Sequence, residues 1–501
     1  MIDPDLSIAE LGSRLRRGET TSRQITAAAL ARIDALDGGI HAFIRVEADA
    51  AIVAATQADQ EISRGIDRGP MHGIPYALKD IYDAAGLPTT CHSRLRLDHI
   101  ASMDSAVAER FRNAGAILLG KLATHEFAFG GPSFDLPFPP ARNPWNLERI
   151  PGGSSSGSAA AVAAGYVRVA AGSCTAGSIR GPAAWCGVVG LKPTYGRVSR
   201  RGVFPLAWSL DHCGPLARTV EDAAIALQII AGHDPLDATS VDRPVPDFLS
   251  QFDHGVRGLR IGVPRNLFEN QPNSTSDALS GIDNTIRVLR DAGAHVEDIV
   301  LPEWKLFAAC ARVIMTSEMY TLHQADLRTR IGEFDRMTVN RFVLGATISA
   351  SDYINALRLR RILTNAVDEA LAKYDVLLTA IALSTAPPFV PTPNPSAWAI
   401  QASTFNVTGH PAISVPVGLA SDGMPLAVQI AGRAFDEPTL IRVARAIEAL
   451  SGWEEVSMPA PNGRVRRDRD SPENSRAPRC ATITDHSTSN GEHCNGNDTR
   501  G

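Results

Sequence analysis

Two arrangements of apolar residues recur along the chain: stretches at helical spacing, and short uninterrupted runs, often with a glycine at the junction. Asp104 to Ala114 fits a helix that stops at Gly115 and passes into the run Ala116-Ile117-Leu118-Leu119. The same order returns in Thr285 to Ala292, then Gly293, then His295 to Leu301. A glycine just past a helix relieves left-handed strain at the cap, and a brief apolar run that follows it fits a buried strand. Leu259 to Val263, Val376 to Ala380, Ala412 to Val417 and Leu426 to Ile430 are further strand candidates. Ser7-Ile8-Ala9-Glu10 and Thr21-Ser22-Arg23-Gln24 fit the capping box, so helices are expected after Ser7 and from Ser22 to about Leu36. Leu440, Ala444, Ile447 and Leu450 share one helical face.

This alternation predicts an α/β layered fold with a mostly parallel sheet. Trp304 to Leu371 looks helical throughout and is expected to cap the sheet. After about Ser457 the composition turns to Pro, Asn, Ser, Thr, Asp, Arg and Gly, too polar to offset the entropy of ordering. The expected organisation is one catalytic domain over 1–457, with its chemistry in about 70–220 and the cap in about 304–371. A disordered polar tail over 458–501 completes it.

Composition narrows the function classes. With 54 acidic and 49 basic side chains, the net charge of −5 leaves no electrostatic footprint for nucleic acid or an anionic membrane. No apolar run spans a bilayer, and Met1 to Arg17 lacks a signal-peptide core. Seven scattered cysteines make neither a disulfide framework nor a C-x-x-C zinc site, so a reducing cytoplasm is the expected location. Only Lys79, Lys121, Lys192, Lys305 and Lys373 are lysines, which leaves 49 − 5 = 44 arginines. Where lysine persists, a need for a cation that can lose its proton gains weight, since arginine in effect cannot.

Chemistry concentrates in two small-residue loops. The first, Pro151-Gly152-Gly153-Ser154-Ser155-Ser156-Gly157-Ser158, leads into a helix-like Ala159 to Ala164. The second runs from Gly172 through Ser173-Cys174-Thr175-Ala176-Gly177-Ser178-Ile179-Arg180 to Pro182. A phosphate loop fails because Ser158 stands where its lysine belongs. A nucleophile elbow centred on Ser155 matches formally, but the polar, Pro-bounded Arg142 to Pro151 precedes it instead of a core strand. No lysine has a serine three residues before it, which excludes a Ser-x-x-Lys acyl-enzyme. What stands is a pair of serine-bearing glycine loops with a lysine as base.

Four motifs carry a family resemblance. They are Gly73-Ile74-Pro75-Tyr76-Ala77-Leu78-Lys79-Asp80, the Gly-Gly-Ser-Ser-Ser-Gly-Ser loop, Gly177-Ser178-Ile179-Arg180, and Cys186 to Thr194. Together with Asn143-Pro144-Trp145, Ser209-Leu210-Asp211 and Gly409-His410-Pro411-Ala412, they resemble the amidase signature family over roughly Ile8 to Leu450. The resemblance implies a single large domain with a mixed, twisted sheet covered by helices. It places the catalytic lysine at Lys79, a bridging serine with a cis peptide at Ser154, and the nucleophile at Ser178. Backbone amides of Thr175, Ala176, Gly177 and Ser178 would receive the oxyanion, and Ala128 would lie near the acyl group. Arg180 is expected to support the loop, with Lys192 and Asp211 structural. Two departures stand out: the family usually has Asp where this chain has Cys174, and Gly at Ala176. An Asp would brace the loop, a task cysteine is expected to do poorly.

The first functional reading is a stand-alone amidase that cleaves a small or aryl amide, with carbamates and urea-like bonds as further options, through an acyl-enzyme on Ser178. Phe127, Phe129, Phe134 and the cap helices would form its apolar pocket. The expected substrate is a small molecule, with no metal or other cofactor, no nucleic-acid or membrane partner, and a homodimer as the one assembly considered. The alternative is the glutaminase subunit of a tRNA-dependent amidotransferase, against which Cys174 and the unusual Phe134 to Pro140 stretch count. A silent binding protein is disfavoured because all three relay residues are present.

Overall fold

In the computed structural model, which describes residues 3–390, 401–453 and 456, one sheet of eleven strands organises the chain. In chain order these are β1 (Phe43–Val46), β2 (Pro75–Lys79), β3 (Ile117–Leu122), β4 (Val169–Cys174), β5 (Val189–Lys192), β6 (His212–Ala217), β7 (Arg260–Val263), β8 (His295–Asp298), β9 (Val376–Ala380), β10 (Ala412–Leu419) and β11 (Pro425–Gly432). Their spatial order is β1-β3-β2-β4-β6-β5-β10-β11-β9-β7-β8. All that is described lies within one compact unit, Met1–Val465; the expected tail at 458–501 lies outside the described residues.

The sheet is mixed, and the mostly parallel arrangement read from alternation is corrected. Parallel pairing is confined to β3-β2-β4 at one side and β9-β7-β8 at the other, four of the ten pairings. There a helix separates successive strands: Ala106–Asn113 leads into β3, Ser156–Ala163 into β4 and Ser276–Asp291 into β8. A parallel return needs such a crossover, whereas the central strands join antiparallel, with β10 and β11 forming a hairpin. β2, β4, β5, β6 and β9 are buried throughout, while the edge strands β1 and β8 are largely open on one face. Strands covered on both faces carry continuous apolar runs, and edges tolerate charge.

Both capping boxes form, at Ser7 with Glu10 and at Thr21 with Gln24, and the second helix runs on to Ile40. The last helix, Glu437–Ser451, buries Leu440, Ala444 and Ile447 but leaves Leu450 exposed. The stretch 304–371, expected to be helical throughout, is mostly so: two long helices, Trp304–Thr329 and Ala350–Lys373, are joined by a short helix, Arg336–Phe342, and tighter turns. The helix Ser156–Ala163 buries every residue, and its small side chains admit neighbouring strands closely. A Cβ on Gly157 would lie 2.4 Å from the Ala42 carbonyl oxygen and 2.5 Å from the Ala123 nitrogen, both backbone atoms. Gly157→Ala is therefore expected to lower stability by about 1–3 kcal/mol, the usual scale for overpacking, read as a drop in the denaturant midpoint at unchanged slope.

Candidate active site

Parallel pairing sets Leu78 of β2 opposite Ala171 of β4, so the ends of the two strands, Lys79 and Ser173, come together. The fully buried Lys79 Nζ donates to Ser154 Oγ at 2.7 Å and to Ser173 Oγ at 2.8 Å. Burial penalises the ammonium and pulls the pKa of Lys79 down to about 7, against weaker opposing pulls from Cys174 and Asp211. Its neighbour Asp80 faces away, paired with the buried Lys121 at 2.7 Å, with Thr90 donating to its other oxygen. Lys79 is thus spared the carboxylate that would keep it charged.

Ser154 follows a cis peptide bond from Gly153, and its carbonyl accepts the His125 amide at 3.1 Å. Gly153 has no substitute here, since a Cβ would lie 2.0 Å from His125 Cε1. Ser155, the centre of the alternative elbow, is fully buried, and its hydroxyl is tied to the Ser173 carbonyl and amide, each at 3.2 Å. Its backbone amide donates to the Ser178 carbonyl at 3.3 Å, which seats the second loop against the first.

Ser178 is half-buried, and its hydroxyl bonds to none of the described residues. It is not a helix cap: the helix Arg180–Cys186 starts from Ile179 without a side-chain capping bond. The amides of Ala176, Gly177 and Ser178 donate to no described residue, and Gly177 holds φ of +129°. Thr175 is anchored instead, its hydroxyl donating to Asp211 at 2.5 Å, while the other Asp211 oxygen accepts the Leu206 and Ala207 amides. Arg180 is wholly buried and donates to Asn406 Oδ1 at 2.5 Å, the Ala402 carbonyl at 2.9 Å and Gln429 Oε1, so it supports the loop.

A cavity of about 260 Å³ opens beside Ser173, lined also by Ala128, Phe204, Trp208, Asp211 and Cys213. Of the residues predicted for the site, only Ala128 lines it. Ala128 and Phe127 both hold positive φ, +62° and +49°. The Phe127 ring packs among Phe204, His323, Phe334 and Phe342, and Phe129 lies 5.7 Å from Phe342, so both meet the cap as expected. Phe134 does not: it is 44% exposed and lies against Phe389, because the Pro-rich stretch after it carries the chain outward. The cap is also latched by buried Glu318, which accepts from the Ser209 amide and hydroxyl and from Tyr353.

Sequence reasoning missed Ser173, Asn406, Gln429 and Glu318. Ser173 stands in the second small-residue loop, two residues past Ala171, and pairing of the two motif-bearing strands would have found it. The other three come from far along the chain and carry no local signal.

These features are compatible with an amide hydrolase, and the sequence profile described as Amidase matches residues 24–441. The chain belongs to the amidase signature family. Among relatives, a Carboxydothermus hydrogenoformans protein named as a subunit of glutamyl-tRNA(Gln) amidotransferase is 40% identical over 88% of this chain and 96% of its own. The crystal structure of the like-named subunit from Thermotoga maritima has TM-score 0.77 at 35% identity, over 89% of this chain and 95% of its own. A bacterial aryl acylamidase of the same family gives TM-score 0.82 at 28% identity, over 90% and 97%.

These relatives correct the expectation of a small-molecule enzyme without a nucleic-acid partner: by name they are subunits of an enzyme acting on a charged tRNA. Net charge was a weak guide, because the charge of one chain does not report what an assembly of the relatives' kind binds. Among the described residues no helix is long and apolar enough to cross a membrane. In a double-mutant cycle on thermal or denaturant stability, Thr175→Val and Asp211→Asn should couple by about 0.5–3 kcal/mol, as bonded neighbours do; additive effects would remove Asp211 as the anchor of the loop.

Proposed function

We propose that this chain is the glutaminase subunit of a tRNA-dependent amidotransferase and cleaves the side-chain amide of glutamine through Ser178, Ser154 and Lys79. The chemistry is carried by one observation: the Nζ of the fully buried Lys79 lies 2.7 Å from Ser154 Oγ, beside a loop of unpaired amides, where burial lowers its pKa to about 7. Assignment to that enzyme is supported by about 40% identity over nearly the full length of the relatives so named.

In this mechanism Ser178 Oγ attacks the amide carbonyl and yields its proton to Ser154 Oγ, whose own proton passes to neutral Lys79 Nζ. The oxyanion forms against the N–H groups of Thr175, Ala176, Gly177 and Ser178. Such donors are set before the reaction and cost no reorganisation. Collapse returns the proton through Ser154 to the leaving nitrogen, ammonia departs, and an ester remains on Ser178. Water, deprotonated along the same route, releases glutamate and restores the serine. The ammonia then passes to the partner that holds the glutamyl-tRNA. Five buried cysteines, free of disulfides, fit work in a reducing cytoplasm.

A second reading, the stand-alone amidase of small or aryl amides, draws on the cavity bounded by Phe204 and Trp208 and on the likeness to the aryl acylamidase. Assays of glutamine and aryl anilides, with and without the amidotransferase's other subunits, separate the two. Glutamine turnover that appears only with those subunits supports the first. Anilide turnover by the lone chain, with no association with them, would replace it with the second.

Under either reading Ser178→Ala and Lys79→Ala should each lower kcat by at least about a thousandfold. The pH profile follows from the sign of the Lys79 shift. Its pKa is lowered, so the neutral form prevails above about 7 and the protonated form, which cannot take a proton, below it. The rate should therefore fall about tenfold per pH unit below about 7 and level off above. A profile flat down to the carboxylate range would exclude Lys79 as base.

A further inference from the structure

Arg180 poses a charge problem. Its guanidinium is fully buried, Nε has no partner, and the acceptors of its remaining bonds are a carbonyl, two side-chain amides and the sulfur of Cys174 at 3.6 Å. No carboxylate of the described residues pairs with it, whereas two other buried cations, Lys121 and Arg197, have Asp80 and Glu437. Lys192, also fully buried and bonded only to the Pro193 and His410 carbonyls, can shed its proton, and burial drives its pKa well down. Arginine has no such exit, and a buried, unpaired cation is strongly disfavoured. The one acidic hydrogen within bonding distance of Arg180 belongs to the Cys174 thiol.

We propose that Cys174 stands as a thiolate, the counter-ion of Arg180, and that this ion pair fixes both ends of the loop that carries Ser178. β4 ends at Cys174 and the following helix begins at Arg180, so the pair closes the base of the loop from Thr175 to Ile179. Asn406 locks it from a third direction: Oδ1 accepts from Arg180 and stands 3.5 Å from the Cys174 sulfur, the longer of its two contacts, while Nδ2 donates to the Cys174 carbonyl at 2.7 Å. Other groups face the sulfur's surroundings: Lys192 on β5, Lys79 on β2, and Asp211 and His212 at the start of β6, the His212 ring being held neutral by burial. Burial alone would push the thiol up, but the Arg180 guanidinium and the Ile179 amide oppose it, and Cys174 lies below its ordinary value. The cysteines Cys213 and Cys310 move the opposite way, to about 12 and about 11, both through burial. A cysteine expected to brace the loop poorly thus does the work of a carboxylate, as a positioning residue that never touches substrate.

The pair is tested by ultraviolet thiolate absorbance, wild type minus Cys174→Ser, and by kinetics on whichever amide the wild type hydrolyses. The absorbance readout does not depend on the relay or on glutamine, so failure of that reading leaves it intact. At neutral pH one thiolate equivalent should vanish in Cys174→Ser. That variant should lose about tenfold to a hundredfold in kcat with KM little moved, the scale expected for a displaced reacting group. Cys174→Asp, which restores an anion, should recover kcat to within about threefold of wild type, a rescue that mere packing would not produce. The proposal is overturned if the difference absorbance is absent, if the serine variant matches wild type, or if the aspartate variant is no better than serine. Should Cys174→Ser not fold, titration of the wild type decides: one thiol must ionise clearly below the ordinary cysteine value of about 8.5.

Discussion

Desolvation of a single amine is the constraint on which the site depends. Lys79 ends a fully buried strand, and its two hydrogen-bond partners are hydroxyls, so only the weaker pulls of Cys174 and Asp211 offset the cost of staying charged. The rest of the site preserves that condition. Asp80, the nearest carboxylate in sequence, is held by Lys121 and Thr90, and Asp211 is occupied by Thr175 and two backbone amides. A carboxylate released from either arrangement would draw Lys79 back towards the ammonium form. These carboxylates are thus closed in local pairs, leaving the Lys79 amine with hydroxyls alone as its hydrogen-bond partners.

The sheet supplies the alignment. Parallel pairing of β2 with β4 brings Lys79 to Ser173, and antiparallel pairing of β4 with β6 puts Cys174 opposite His212, next to Asp211. The loop from Thr175 to Ile179 leaves β4 between those two neighbours, with Asp211 holding its first residue and Arg180 its far end. Three consecutive amides consequently stay unpaired inside a well-packed region, where amides otherwise find partners.

Much of this was legible in the sequence because it is local. The run Val376 to Ala380 is a strand with those bounds, the helix–glycine–strand passages around Gly115 and Gly293 hold, and Lys79 and Ser154, each in its own motif, come within hydrogen-bond distance. The antiparallel centre was not legible. His212-Cys213-Gly214-Pro215 does not look like a strand until β4 and β5 flank it, and its conformation is set by those neighbours. The support of Arg180 was equally hidden, since Asn406 and Gln429 lie more than two hundred residues away in sequence. Phe134 shows the converse error: an aromatic residue near a motif looks like part of the pocket, but the prolines after it route the chain to the surface.

The cap enters the molecule differently from the relay. It is inserted between β8 and β9, while the relay hangs on β2 and β4, and it meets the site through the rings around Phe127 and the latch from Glu318 to Ser209. Insertions, deletions or exchanges within 304–373 can therefore reshape the roof over the reacting bond without passing through a strand that aligns Lys79. Such a division makes the cap the natural segment to transplant between relatives when a change above the site is sought without disturbing β2 and β4.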